Sequence, residues 1–176
     1  MKKTDLLPDV LTRKPTISPT AFIATGARII GDVTLGEESS VWYNAVLRGD
    51  INRIVIGRRT NIQDGCILHL ENEQPCIVGD DVTVGHGAIL HGCIIEDGVL
   101  IGMGATVLSG AVIQKGSIVG AGAVVTEGLF VPPFSLVVGV PAKIVKSVPE
   151  STYDTNLAWA QKYVLLSAEH RRYFSS

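Results

Sequence analysis

The chain has 176 residues, a length suited to one domain spanning residues 1–176. Its 15 Lys+Arg nearly balance 17 Asp+Glu, and the basic residues form no stripe interleaved with aromatics, so nucleic-acid binding is not expected. No 18-residue apolar run could span a membrane, and the opening MKKTDLLPDVLTRKPT has charges and prolines where a signal peptide needs apolar residues. A cytoplasmic protein is expected.

From Ile17 an aliphatic residue returns at every sixth position: Ile17, Ile23, Ile29, Leu35, Val41, Leu47. The phase slips by three and resumes at Ile56, Ile62 and Leu68. After an insertion of four it runs through Val78, Val84 and Leu90. After a contraction of one it continues from Ile95 and Ile101 to Val131 and Val137. A small residue often sits four places on, as at Ala105, Ala111, Ser117 and Ala123. Period six fits neither a helical stripe nor a plain alternating strand, but it suits short strands separated by glycine-assisted corners. Three such units close a triangular coil of 18 residues, and stacked coils hydrogen-bond as parallel strands. Residues 17–142 then make about seven coils, a prism on the order of 34 Å tall, with the aliphatic ladder as its core.

Within this array Arg48 and Asp50 lie two apart on one face, a spacing suited to an ion pair that could bridge subunits. Gln63 follows the inward Ile62 and faces outward, where it is positioned for an interface. Asp64 beside it can orient a ligand, bind a metal-bound water, or cap a turn.

His69 and His91 are 22 residues apart, and subtracting the four-residue insertion around Glu71-Asn72-Glu73-Gln74 leaves one coil of 18. The two should therefore stack. Each follows an inward leucine, Leu68 or Leu90, so both imidazoles point out of the prism and make half of a tetrahedral zinc site. His86 lies about one side of the triangle away, an extended side of six residues measuring roughly 20 Å. It cannot easily share an ion with the other two in one chain. If identical prisms pack about a threefold axis, His86 of one can face His69 and His91 of its neighbour, which predicts an intersubunit metal and an obligate trimer.

Cys66, Cys76 and Cys93 lack paired C-x-x-C spacing and read as small buried residues. The run Gly139-Val140-Pro141-Ala142 should end the array. A helix over about 151–172 should follow, capped by Ser151 or Asp154, with Leu157, Trp159, Tyr163, Leu166 and His170 packing on the prism.

Arg48-Gly49-Asp50, Gln63-Asp64 with His69, Gly85-His86-Gly87 and Leu90-His91-Gly92-Cys93, on hexapeptide repeats with a C-terminal helix, resemble the gamma-class carbonic anhydrases and their bacterial relatives. The resemblance implies an all-β, left-handed parallel β-helix with a C-terminal α-helix. It also implies zinc, or iron or cobalt, held by His69 and His91 of one subunit and His86 of the next in a homotrimer. Gln63 would hydrogen-bond the metal-bound hydroxide and help hold CO2 or bicarbonate, with Asp64 near it. Arg48 and Asp50 would tie subunits, and Tyr163 would match a polar residue reaching toward the site. Three neutral imidazoles leave zinc its charge, so bound water ionises near pH 7 and attacks CO2. The chain departs from the pattern at Ile51, where a glutamate is usual, and in its short acidic loop, where Glu71 and Glu73 are the candidates to carry the proton away or are ordinary solvated charges. Competing readings are a metal-dependent acyl-CoA thioesterase, a hexapeptide-repeat acyltransferase, and a catalytically silent trimeric scaffold.

Overall fold

The computed structural model describes residues 13–174. Most of the opening segment that bears on a signal peptide lies outside the described residues. Among the described residues no helix is long and apolar enough to cross a membrane.

The six-residue period becomes a parallel β-helix with three faces. The first face carries the opening halves of Arg28–Leu35 and Val46–Ile56, then Ile67–His69, Ile89–His91, Thr106–Val107 and Val124–Val125. The closing halves of the two long strands turn onto the second face, with Thr16–Ile17, Cys76–Val78, Ile94–Ile95, Val112–Ile113 and Phe130–Val131. The third face runs Phe22–Ile23, Ser40–Val41, Asn61–Ile62, Thr83–Val84, Leu100–Ile101, Ile118–Val119 and Ser135–Gly139. Because the two long strands continue round a corner, the first and second faces form one 11-stranded sheet and the third a separate 8-stranded one.

The corners explain the glycine content of the later coils. Gly98, Gly104, Gly110, Gly116, Gly122 and Gly128 recur at six-residue intervals, all with φ between 61° and 72°, a left-handed conformation that glycine adopts without steric cost. Inside, the ladder from Val41 through Leu47, Ile62, Leu68, Val84, Leu90 and Ile101 to Val137 is fully buried, and Ala105, Ala111, Ser117 and Ala123 fill the corners beside it. Cys66, Cys76 and Cys93 are free and buried in the same core.

The first two rungs differ from expectation. Ile17 pairs with Leu35 and Ile23 with Val41, so both hold the inward register. Each is nonetheless 40% exposed, since they belong to the first coil and no described residue stacks beyond it. The buried side chains near this end are instead Phe22, Ala24 and Trp42, which pack outside the prism against Tyr163 and Leu166 of the helix.

The parallel coils end at Gly139, as the Gly139-Val140-Pro141-Ala142 run leads one to expect, but pairing continues beyond it. Ser135–Gly139 turns back on itself and pairs antiparallel with Ala142–Ser147, a strand that the sequence period does not announce. The helix spans Thr152–Phe174 and lies over the third face. Of the expected stripe, Tyr163, Leu166 and His170 pack on Phe22, Trp42 and Tyr43, while Trp159 is left 45% exposed. The buried positions of the helix are Asn156, Ala160 and Ser167. Small side chains there let the helix approach closely, and Asn156 Nδ2 donates to the Gly98 carbonyl at 2.8 Å.

Candidate metal centre

The strand register stacks His69 on His91, Leu68 on Leu90 and Ile67 on Ile89. The leucines are fully buried, so alternation places both imidazoles on the outer surface at the corner between the first and second faces. Nδ1 of His69 lies 3.1 Å from Nε2 of His91. The remaining ring nitrogens are held as well. His69 Nε2 is 2.9 Å from Asp50 Oδ1, and His91 Nδ1 is 2.8 Å from Ser109 Oγ.

These partners bear on which nitrogen carries the proton. A carboxylate only accepts, so Asp50 holds the His69 proton on Nε2 and leaves a lone pair on Nδ1. When His91 donates to Ser109, its Nε2 also presents a lone pair, and two lone pairs face each other across 3.1 Å. That arrangement favours a cation between them. Two nitrogens bound tetrahedrally at 2.0–2.1 Å from zinc are separated by about 3.3 Å, close to the spacing here. The donor set and its outer partners therefore fit a divalent metal.

Arg48 Nη1 donates to Asp50 Oδ2 within the chain, so the carboxylate joins a guanidinium on one side to His69 on the other. Burial pushes the Asp50 carboxyl up, but the hydrogen bonds from Arg48 and His69 outweigh it and hold the group below its ordinary range.

Glu71 and Glu73 sit on the four-residue insertion, beside this pair. Backbone bonds between Glu71 and Gln74 close the turn, and Asn52 Nδ2 donates to the Asn72 carbonyl at 2.8 Å. Glu71 Oε1 is 4.0 Å from His91 Nδ1 with its side chain 57% exposed, whereas Glu73 is exposed farther along the loop.

His86 occupies the other edge of the first face, at the corner that enters it from the third. Its Nδ1 is 2.7 Å from Asp64 Oδ2, and its backbone N–H donates to Gln63 Oε1 at 3.2 Å. Gln63 is 4% exposed, and its Nε2 donates to Asn61 Oδ1 at 3.0 Å. It faces away from the core as alternation requires, yet the helix covers it. Tyr163 reaches the same place from the helix, its ring edge-on to Trp42 at 5.4 Å, and with Gln63 and His86 it lines one cavity. Burial and the charge of Asp64 raise the Tyr163 phenol above its ordinary value. Among the described residues no group of three His, Cys, Asp or Glu side chains gathers to hold a metal within one chain.

The structure thus gathers two clusters: His69, His91, Asp50, Arg48 and Glu71 at one corner, and His86, Asp64, Gln63 and Tyr163 at the other. Two of their residues do not stand out in the sequence. Asn61 alternates with Gln63 on one outward face, a spacing of two that could have revealed it. Ser109 lies one coil of 18 residues after His91; the contraction after Leu90 pairs Leu90 with Val107 and sets Ser109 over Gly92, from where its hydroxyl still reaches His91.

A parallel β-helix of hexapeptide period with paired outward imidazoles defines the class of protein. Residues 92–127 match the family model described as bacterial transferase hexapeptide (six repeats). A relative from Methanocaldococcus jannaschii named "Probable carbonic anhydrase" is 58% identical over 151 residues, covering 86% of this chain and 95% of its own. "Gamma carbonic anhydrase 2, mitochondrial" of Arabidopsis thaliana is 38% identical over 170 residues, 93% of this chain but 61% of the plant protein. The crystal structure of a hexapeptide transferase family protein from Anaplasma phagocytophilum has a TM-score of 0.84 at 40% identity, covering 88% of this chain and 92% of that one. The chain belongs to the gamma-class carbonic anhydrase family.

Proposed function

We propose that the chain is a zinc-dependent carbonic anhydrase that interconverts CO2 and bicarbonate at sites shared between the subunits of a homotrimer. The observation that carries this reading is the His69–His91 pair: two ring nitrogens 3.1 Å apart, each ring fixed from behind by Asp50 or Ser109. His86, one prism side away on the same chain, supplies the third nitrogen to a neighbour's pair. Iron or cobalt suits the same donors. Bound metal supplies the positive charge that lets water ionise near neutral pH, the nucleophile CO2 hydration requires.

The chain's own residues do the rest. Gln63 is locked by Asn61 and by the His86 N–H, leaving one amide N–H to hold an oxygen of CO2 or bicarbonate. Asp64 fixes the His86 ring through Nδ1, and Asp50 fixes His69, so both imidazoles are oriented before metal binds. Glu71, near His91 and open to solvent, is the better placed of the two loop glutamates to pass protons out. Arg48 gives one donor to Asp50 and keeps others for the adjoining subunit.

The test is complementation. His86→Ala and His91→Ala should each lose the metal and CO2 hydration. When the two variants are mixed, unfolded and refolded together, random assembly leaves about one quarter of sites with all three ligands. Metal content and hydration should return to that fraction. A site built within one chain recovers nothing, and activity in both separate variants removes the histidines from the chemistry.

A further inference from the structure

The cavity lined by Gln63, His86 and Tyr163 continues well beyond them, with a volume of about 460 Å³. Sites that enclose whole organic ligands have this size, and CO2 fills little of it. Its shape comes from one outward column of the third face. Gln63 follows the inward Ile62, and Gly85, Gly102 and Gly120 follow Val84, Ile101 and Val119 in the next three coils. A side chain at Gly102 would meet the Ala121 backbone nitrogen at 2.4 Å, so tight stacking requires glycine there. The result is a trough floored by backbone, running along the prism for about 14 Å from Gln63 to Gly120.

The side chains around the trough are sorted by polarity. Leu100 and Ile118 form one wall, Met103 and Ala121 the other, and Trp159 overhangs it from the helix. Trp159 and Met103 are 45% and 60% exposed, large apolar side chains turned to solvent beside a cavity. No charged side chain lines the trough apart from what His86 can carry. The polar groups, Gln63, Thr83, His86 and Tyr163, all lie toward its Gln63 end. A ligand matching this has a polar head and an unbranched apolar tail.

We infer that the trough binds an unbranched, medium-length acyl chain with a carboxylate head, the head at Gln63 and His86 and the tail along the glycine column beneath Trp159. The inference rests on the metal reading of His86, since the bound cation provides the charge complementary to the carboxylate. It names a second ligand class for the site, one that competes with bicarbonate for the polar end.

The metal-loaded protein would be titrated with acetate, butyrate, hexanoate and octanoate, following binding by calorimetry and inhibition of CO2 hydration. Affinity should rise roughly threefold to fourfold per methylene as the tail enters the trough. Ala121→Phe, on the exposed wall and outside both histidine clusters, should flatten that series while leaving acetate inhibition and hydration unchanged. Trp159→Ala should weaken octanoate but not acetate. A flat series in metal-loaded wild type, as when a neighbouring subunit fills the trough, overturns the inference and leaves the metal reading intact. So does a chain-length gain that survives Ala121→Phe. If the protein neither holds metal nor hydrates CO2, the metal reading fails, and the placement of the head fails with it.

Discussion

Replacing Ser109 with alanine removes one hydroxyl, 2.8 Å from His91 Nδ1, and adds no bulk. A metal on His91 Nε2, the atom 3.1 Å from His69, requires the proton on Nδ1, and Ser109 Oγ is the acceptor that holds it there. Without it the metal-bound ring loses the acceptor for its Nδ1 proton and is no longer held in orientation from behind. Loss of an outer partner of a metal-ligating histidine typically costs 10–100-fold in affinity. A neutral hydroxyl belongs at the low end, so Ser109→Ala should weaken zinc about tenfold, about 1.4 kcal/mol. Competition against a chromophoric chelator measures this directly on the assembled protein. Ser109→Thr keeps the hydroxyl and should restore most of the affinity, and metal-free stability should change by less than about 1 kcal/mol in either variant. Unchanged zinc affinity in Ser109→Ala, or a threonine variant as weak as the alanine, would refute the role of Ser109 behind His91.

Two further outcomes follow from the core and from the helix. Leu68→Ala deletes a fully buried rung directly beneath His69 and should cost about 2–5 kcal/mol in chemical denaturation, because close-packed coils above and below cannot collapse into the hole. A loss below about 1 kcal/mol would mean that the coils relax far more than a stacked β-helix should. The Tyr163 phenol is held above its ordinary value of 10.0, first by burial and then by Asp64. The folded chain therefore keeps a proton that the unfolded chain releases, and the associated stability is complete below that value and declines as pH rises past it. Tyrosinate absorbance titrations of wild type and Tyr163→Phe should differ by one group ionising late, and Asp64→Asn should bring that group earlier; an ordinary titration for Tyr163 contradicts its placement under the helix.

The β-helix and the histidine stack were legible because a solenoid turns sequence distance into height. Once the insertion of four is subtracted, Leu68 must lie on Leu90 and His69 on His91, and the strand pairs have that register. The same arithmetic says nothing about ends. Ile17 and Ile23 keep the period but stay exposed, since burial needs a coil on both sides. The helix was legible as a helix and in part as a packing surface, since Tyr163, Leu166 and His170 lie against Phe22, Trp42 and Tyr43. Apolar spacing favoured Leu157 and Trp159, while the approach to a flat sheet selected the small Asn156, Ala160 and Ser167. Ser109 lies 18 residues, one ordinary coil, after His91, but the contraction of one sets its strand register against Gly92, so the contact with His91 depends on side-chain direction at the corner.

The sequence alone determined the prism, its coil count, and which histidines stack, because all three depend only on a repeat length and the places where it slips. Only the tertiary structure decided what surrounds each imidazole: Asp50 and Ser109 behind the pair, Asp64 behind His86, and a glycine-floored trough under Trp159. Those contacts depend on side-chain directions at the corners and on where one helix comes to rest across the third face. Periodicity carries no information about either.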